Sequence, residues 1–171
     1  MMETKKSGKW VLYICLCFFL VFLDQVTKSL ATKYLSDGSF VIIPGVFQLT
    51  YLENHGAAFG IMQGQQWFFF LVTAAFLIFM VWFYSRIPEG KHYRFMRITC
   101  ILLTSGAIGN LIDRMWLHYV RDFFYFILIN FPIFNVADIY VTFSAIFLVL
   151  MILFIYKDDD FAFLKRKKEN A

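Results

Sequence analysis

Along this chain polar positions are sparse and bunched, and the long apolar runs between them set the elements. Four stretches, roughly Trp10–Ala31, Gln66–Tyr84, Phe95–Leu117 and Asn135–Tyr156, each approach the about 20 residues that a spanning helix requires. Between the first two, residues 39–52 (S-F-V-I-I-P-G-V-F-Q-L-T-Y-L) are β-branched and aromatic and are broken by Pro44-Gly45. That pattern predicts two short strands around a turn. Glu53 to Gly60 follows as a loop whose glycines allow close backbone approach. After the third run, Phe123 to Ile129 is apolar throughout but too short to span, so it is expected to lie on or dip into the interface. From Asp158 to Ala171 the chain turns charged and is expected to be disordered. The fold expected is an all-α polytopic membrane protein, one domain over residues 1–171, with four spans and a small extracytoplasmic sheet.

Composition agrees with that class. The chain is 60% hydrophobic and 21% aromatic, against about 45–50% apolar in an ordinary soluble domain. The net charge of +4 is divided among segments rather than gathered into a patch, which excludes a nucleic-acid partner. Distribution matters more than total. Lys5, Lys6 and Lys9, then Arg86, Lys91, Arg94 and Arg97, then Lys157, Lys165, Arg166, Lys167 and Lys168 fall on one side; the opposite segments carry only Lys33 and Arg121. Both termini are therefore expected to be cytoplasmic, with 32–65 and 118–134 facing outward. The first run has no small-residue cleavage site after it, so it is expected to be retained as a span. Cys15, Cys17 and Cys100 lie within apolar runs, and His55, His92 and His118 have no ligand-like spacing. Neither a disulfide framework nor a metal or cofactor is expected.

The polar exceptions carry the chemistry. Asp24 and Lys28 stand in the first span; Asn110, Asp113 and Arg114 in the third; Asp122 in the second outer segment; Asn135 and Asp138 at the start of the fourth. An ionisable group in such surroundings costs roughly 2.5–3.5 kcal/mol to insert, so each needs a use. With a rise of about 1.5 Å per residue, Asp24 and Asn110 both lie about 21–22 Å from the cytoplasmic edge. Asp138 lies only about 5 Å below the outer edge of a core about 30 Å thick. The three groups land at one depth. Ser105, Gly106, Ala107 and Gly109 would let the third helix approach its neighbours closely.

Simpler readings exist for most of these residues. Asp24–Lys28 is an i,i+4 ion pair, Asp113 and Arg114 are charges at a helix end, Asn54 is a turn residue, and Asn135 is a helix N-cap. Asp122 also reads as a surface charge beside Arg121. A carboxylate inside a span, as at Asp138, defaults to function. A small transporter would place its charges near the midplane and show a repeat or a broken helix. A purely structural protein leaves Asp122 and Asp138 unexplained, and a serine-type peptidase lacks a Ser–Lys pair.

In order, the chain reads Asp24-Gln25-Val26-Thr27-Lys28; Asn54-x-Gly56-Ala57-Ala58-Phe59; Gly106-Ala107-x-Gly109-Asn110-x-x-Asp113-Arg114; Val120-x-Asp122-Phe123; and Phe134-Asn135-x-Ala137-Asp138. In these motifs, over about residues 10–156, it resembles the lipoprotein signal peptidases of bacteria, the type II signal peptidases. His55 is a small departure from the pattern. The resemblance implies an aspartyl endopeptidase of the bacterial cytoplasmic membrane, multi-pass, with its site at the outer face. It would cut prolipoproteins just before a diacylglyceryl-modified cysteine. The family's catalytic pair falls on Asp122 and Asp138. Asn54, Gly56, Asn110, Arg114 and Asn135 are then the candidates for binding substrate, and Asp24, Lys28 and Asp113 for bracing the helices. The implied partners are modified prolipoproteins and membrane lipids, the implied state a monomer, and the implied additions a sheet and a short interfacial helix.

Overall fold

The computed structural model describes residues 3–56 and 65–164. Four helices run through it: α1 (Glu3–Leu35), α2 (Gln66–Arg86), α3 (Arg94–Trp116) and α4 (Val136–Phe154). Each contains a stretch long and apolar enough to cross a membrane: Gly8–Leu35, Trp67–Arg86, Arg94–Trp116 and Val136–Phe154. The protein is a multi-pass membrane protein. Outward-facing Phe18, Ile78, Phe143 and Leu153 are all exposed in the isolated chain, as residues meant for lipid would be.

Helix α3 is the central element, packed on α1, α2 and α4. Its small residues explain why. A Cβ at Gly106 would stand 2.6 Å from the Ala137 carbonyl oxygen, and one at Gly109 would stand 2.5 Å from Asp24 Oδ2. Absent those methyl groups, three helix backbones come together at one level.

Between α1 and α2 the predicted strands form as β1 (Phe40–Ile43) and β2 (Phe47–Asn54), antiparallel, with Gly45 at φ +72° in the turn. The outer segment after α3 departs from expectation. Most of it is a third strand, β3 (Val120–Phe126), paired antiparallel with β2, and only Ile127–Ile129 coils into a single 3₁₀ turn. An unbroken apolar run does not show alternation, because β3 is covered on both faces along much of its length. Val120, Asp122 and Phe123 are buried, and Phe123 packs against Ala31 and Leu35.

The opposite end is closed by rings. Tyr13, Tyr84, Met96, Met151 and Tyr156 form a buried cluster, with Trp10 edge-on to Tyr84 at 5.2 Å between centroids. The charged tail corrects the expectation of disorder as far as residue 164. Asp158–Leu164 is a 3₁₀ helix whose Phe161 and Phe163 pack on that cluster, and Asp160 pairs with His92 at 2.9 Å. Burial of two aromatic side chains outweighs three adjacent aspartates that stay at the surface. Residues 165–171 lie outside the described residues.

Candidate active site

The N-terminus of α4 builds one half of the site. Asn135 is the N-cap: its Oδ1 accepts from Asp138 N at 3.0 Å, and its own N–H donates to Asp138 Oδ2 at 3.0 Å. This capping box fixes Asp138 in the first turn. Asn135 is fully buried and does more than cap. Its Nδ2 donates to Asp122 Oδ1 at 2.6 Å and to Asn110 Oδ1 at 3.2 Å.

Strand β3 supplies the other half. Asp122, 1% exposed, accepts from Asn135 on Oδ1 and from Asn54 Nδ2 on Oδ2 at 2.9 Å. Asn54 is held in turn by Gly56, whose N–H donates to Asn54 Oδ1 at 3.0 Å. On the α3 side, Asn110 Nδ2 donates to Asp138 Oδ1 at 2.8 Å. All four carboxyl oxygens of Asp122 and Asp138 thus accept a hydrogen bond, one each from the side chains of Asn54 and Asn110 and two from Asn135, by its side chain and its main-chain N–H. Burial, and then the negative charge of Asp138, push the Asp122 carboxyl up to about 7.

The two aspartates share a cleft of about 610 Å³ with Asn54, Asn110, Arg114 and Phe131. Arg114 lies over the Phe69 ring at 4.9 Å and reaches the Gly56 carbonyl at 3.4 Å. Of the residues expected from sequence, Asn54, Asn110, Arg114, Asp122 and Asp138 line this cleft, and Gly56 and Asn135 bond to residues that line it. The asparagines, expected as ligands for substrate, spend amide N–H groups on the carboxylates. Ala57, Ala58 and Phe59 of the second motif lie outside the described residues.

Below the cleft runs a buried ionic layer. Lys28 Nζ touches Asp24 Oδ2 at 2.9 Å, Asp113 Oδ2 at 3.6 Å and Asn110 Oδ1 at 2.8 Å, and all three charged side chains are fully buried. The i,i+4 pair within α1 is present, and it is also a junction between helices: Asp24 Oδ1 accepts from Ala137 N at 2.9 Å. Two members were not expected from sequence. Gln25 Nε2 donates to Asp24, Asp113 and the Gly109 carbonyl at 3.1–3.2 Å. Arg121 pairs with Asp113 at 2.7 Å and not with its neighbour Asp122. Its α1 partners Gln25 and Ser29 lie more than 90 residues away, and its α3 partner Asp113 lies across the turn between α3 and β3, where no helical spacing applies.

A buried Asp122 facing a partly exposed Asp138 across one cleft, with interlocked donors and Asp122 pushed up to about 7, suits acid–base hydrolysis of a peptide bond. Among the described residues no cluster of His, Cys, Asp and Glu could hold a metal ion. Residues 16–154 match the family model of signal peptidase (SPase) II. The chain belongs to the signal peptidase II family. Similar relatives include the lipoprotein signal peptidases of Caldanaerobacter subterraneus subsp. tengcongensis, 44% identical over 82% of this chain and 95% of the relative, and of Clostridioides difficile, 41% identical over 84% and 96%. The lipoprotein signal peptidase of Streptococcus pyogenes is 37% identical over 88% of this chain and 96% of its own. Two solved bacterial membrane enzymes superpose at a TM-score of 0.74. One is 34% identical and covers 94% of both chains; the other is 35% identical and covers 85% of this chain and 94% of its own. In this signal peptidase II member, Asp122 and Asn135 of the site are buried, while Asp138 and Arg114 are partly exposed.

Proposed function

We propose that this protein removes signal peptides from prolipoproteins, with Asp122 and Asp138 as the catalytic pair. Asn135 carries the proposal: one buried side chain bonds Asp122 and boxes Asp138, holding two carboxyls at one cleft. Burial, and then the negative charge of Asp138, keep the Asp122 carboxyl protonated up to about pH 7, so one of the two carboxyls holds a proton near neutrality. The ionised partner takes a proton from water, whose oxygen attacks the scissile carbonyl carbon. The protonated partner donates to that carbonyl oxygen. Collapse breaks the C–N bond, and the amine of the new N-terminal cysteine leaves with a proton from the pair. Asn54, Asn110 and Asn135 hold the carboxyls in place, while Arg114 borders the space for substrate.

The sheet end of the bundle is the outer face, because the cationic segments gather at the other. The membrane is then the bacterial cytoplasmic membrane, and the substrate enters as a further helix. Its specificity includes lipid. Leu128, Ile129 and Phe131 are exposed beside the cleft, and an apolar cavity of about 380 Å³ bordered by Trp67, Phe70 and Met115 adjoins it at Arg114. Each buried CH₂ contributes about 0.8 kcal/mol, so two acyl chains anchor the scissile bond in depth.

The test compares a diacylglyceryl-modified prolipoprotein with the unmodified precursor, in one detergent and at equal concentration. The modified form is expected to release its signal peptide far faster. Equal rates would mean that peptide alone sets specificity, and no release from either would remove the activity.

A further inference from the structure

Successive side chains of a strand point to opposite faces. In β3 this sends Asp122 into the cleft and Arg121 down into the ionic layer. Three donors of Arg121 converge on one carboxylate. Its main-chain N–H and its Nε reach Asp113 Oδ2 at 3.0 and 3.1 Å, and Nη2 reaches Asp113 Oδ1 at 2.7 Å. Nη2 also donates to Gln25 Oε1 at 2.9 Å, and Nη1 to Ser29 Oγ at 3.4 Å. Asp113 is 1% exposed, so this tie is made at a fixed, dry point of α3. A bidentate guanidinium–carboxylate pair sets direction as well as distance.

The sheet pairs Val120, Arg121 and Asp122 with Asn54, Glu53 and Leu52, but the ladder is interrupted just past Asp122. Leu49 pairs with Phe124 and Leu52 with Asp122, so β2 spends one residue more than β3 between the two pairings. Such a bulge disrupts the ladder locally, and it sits beside Asp122. Beyond it the strand is tied again, with Phe123 N and Phe124 N both donating to the Phe134 carbonyl at 3.0 and 2.8 Å. Ahead of the bulge, pairing with β2 holds this strand only to the sheet, and the Arg121–Asp113 clamp ties the backbone entering Asp122 to α3 of the bundle.

We propose that Arg121 is a positioning residue for Asp122, acting through Asp113 to fix the peptide that precedes the aspartate. The inference rests on Asp122 being one of the reacting pair. It gives Arg121 a part in turnover and not in substrate affinity, since its side chain faces away from the cleft.

The experiment measures kcat and KM on a diacylglyceryl-modified prolipoprotein, per folded molecule, alongside thermal unfolding in the same detergent. Arg121→Gln is expected to lower kcat by about 10- to 100-fold, the scale of a misplacement near 1 Å, with KM little changed. Arg121→Lys keeps the charge but not the fork, and is expected to recover part of the loss. The double variant Arg121→Gln/Asp113→Asn is expected to turn over no more slowly than the slower single variant. A wild-type kcat in Arg121→Gln with only a lower Tm, or multiplicative losses in the double variant, would overturn the inference. Where Arg121→Gln yields no folded protein, Arg121→Lys carries the test: reduced kcat at unchanged KM supports the assignment, and wild-type kcat ends it. Asp122→Asn is assayed in parallel. Full turnover there would defeat the catalytic assignment itself, whatever Arg121 does.

Discussion

Asn135 holds Asp122 across 2.6 Å while serving as the helix cap boxed with Asp138, so one side chain performs a structural and a chemical duty at once. The two duties are separable by substitution. Asn135→Ser keeps a hydroxyl that caps well but is too short to reach Asp122; Asn135→Ala removes both. The alanine variant is expected to lose about 0.5–2 kcal/mol of stability together with most of its turnover. The serine variant is expected to unfold close to wild type and still cleave slowly. Parallel thermal melts and cleavage assays read the difference, and equal turnover in Asn135→Ser and wild type would show that the bond to Asp122 is idle.

Asp122→Asn and Asp138→Asn are each expected to lower kcat on the order of 10²–10⁴-fold, the contribution of a positioned acid or base. Helicity by circular dichroism is expected to stay at the wild-type level in both. Wild-type turnover in either variant would take that residue out of the pair.

A pH dependence follows from Asp122. Its carboxyl is pushed up to about 7, by burial first and by Asp138 second, from the ordinary 3.8. Between those values the folded chain keeps a proton that the unfolded chain has released. The stabilisation from this group is therefore complete below the unfolded value and is lost as pH rises through about 7. Tm is expected to fall more steeply from about pH 5 to about pH 8 in the wild type than in Asp122→Asn. Parallel slopes for the two proteins would contradict the elevated titration. Cleavage is expected to decline on the alkaline side over the same range, as the pair loses its shared proton.

Gly109→Ala tests the close approach of α1 and α3. The new methyl would lie 2.5 Å from Asp24 Oδ2 and 3.1 Å from its Cγ, so the buried Asp24–Lys28 pair must shift. Overpacking of this kind costs about 1–3 kcal/mol. The expected outcome is a lower thermal midpoint in detergent. Gly8→Ala, where a Cβ meets nothing within 4 Å, is the control and is expected to melt like wild type.

What the sequence made legible depended on contrast. Asp122 and Asp138 stood out because carboxylates among Phe, Val and Ile are costly, and the four spans because each is a long apolar run with few or no charges. Strand β3 was hidden for the opposite reason: Phe123 to Ile129 is apolar on every residue, and a strand covered on both faces along much of its length shows no alternation to read. The tail misled because Asp158, Asp159 and Asp160 mask Phe161 and Phe163, which do the packing. Gln25 and Arg121 were beyond reach. They meet across 96 residues, and only the folded chain puts a guanidinium from the sheet against an amide of the first helix.

The ring cluster at the end far from the cleft has a consequence for how this protein tolerates change. Tyr13, Tyr84 and Tyr156 hold that end by buried area with one hydroxyl hydrogen bond each, and volume-conserving hydrophobic swaps in such packing cost less than about 1.5 kcal/mol. The cleft end is held by amides and carboxyls whose bonds weaken steeply with angle and distance. Mutational tolerance is thus graded along the membrane normal. A library of conservative substitutions would survive densely near the chain ends and thin out, layer by layer, towards Asn135.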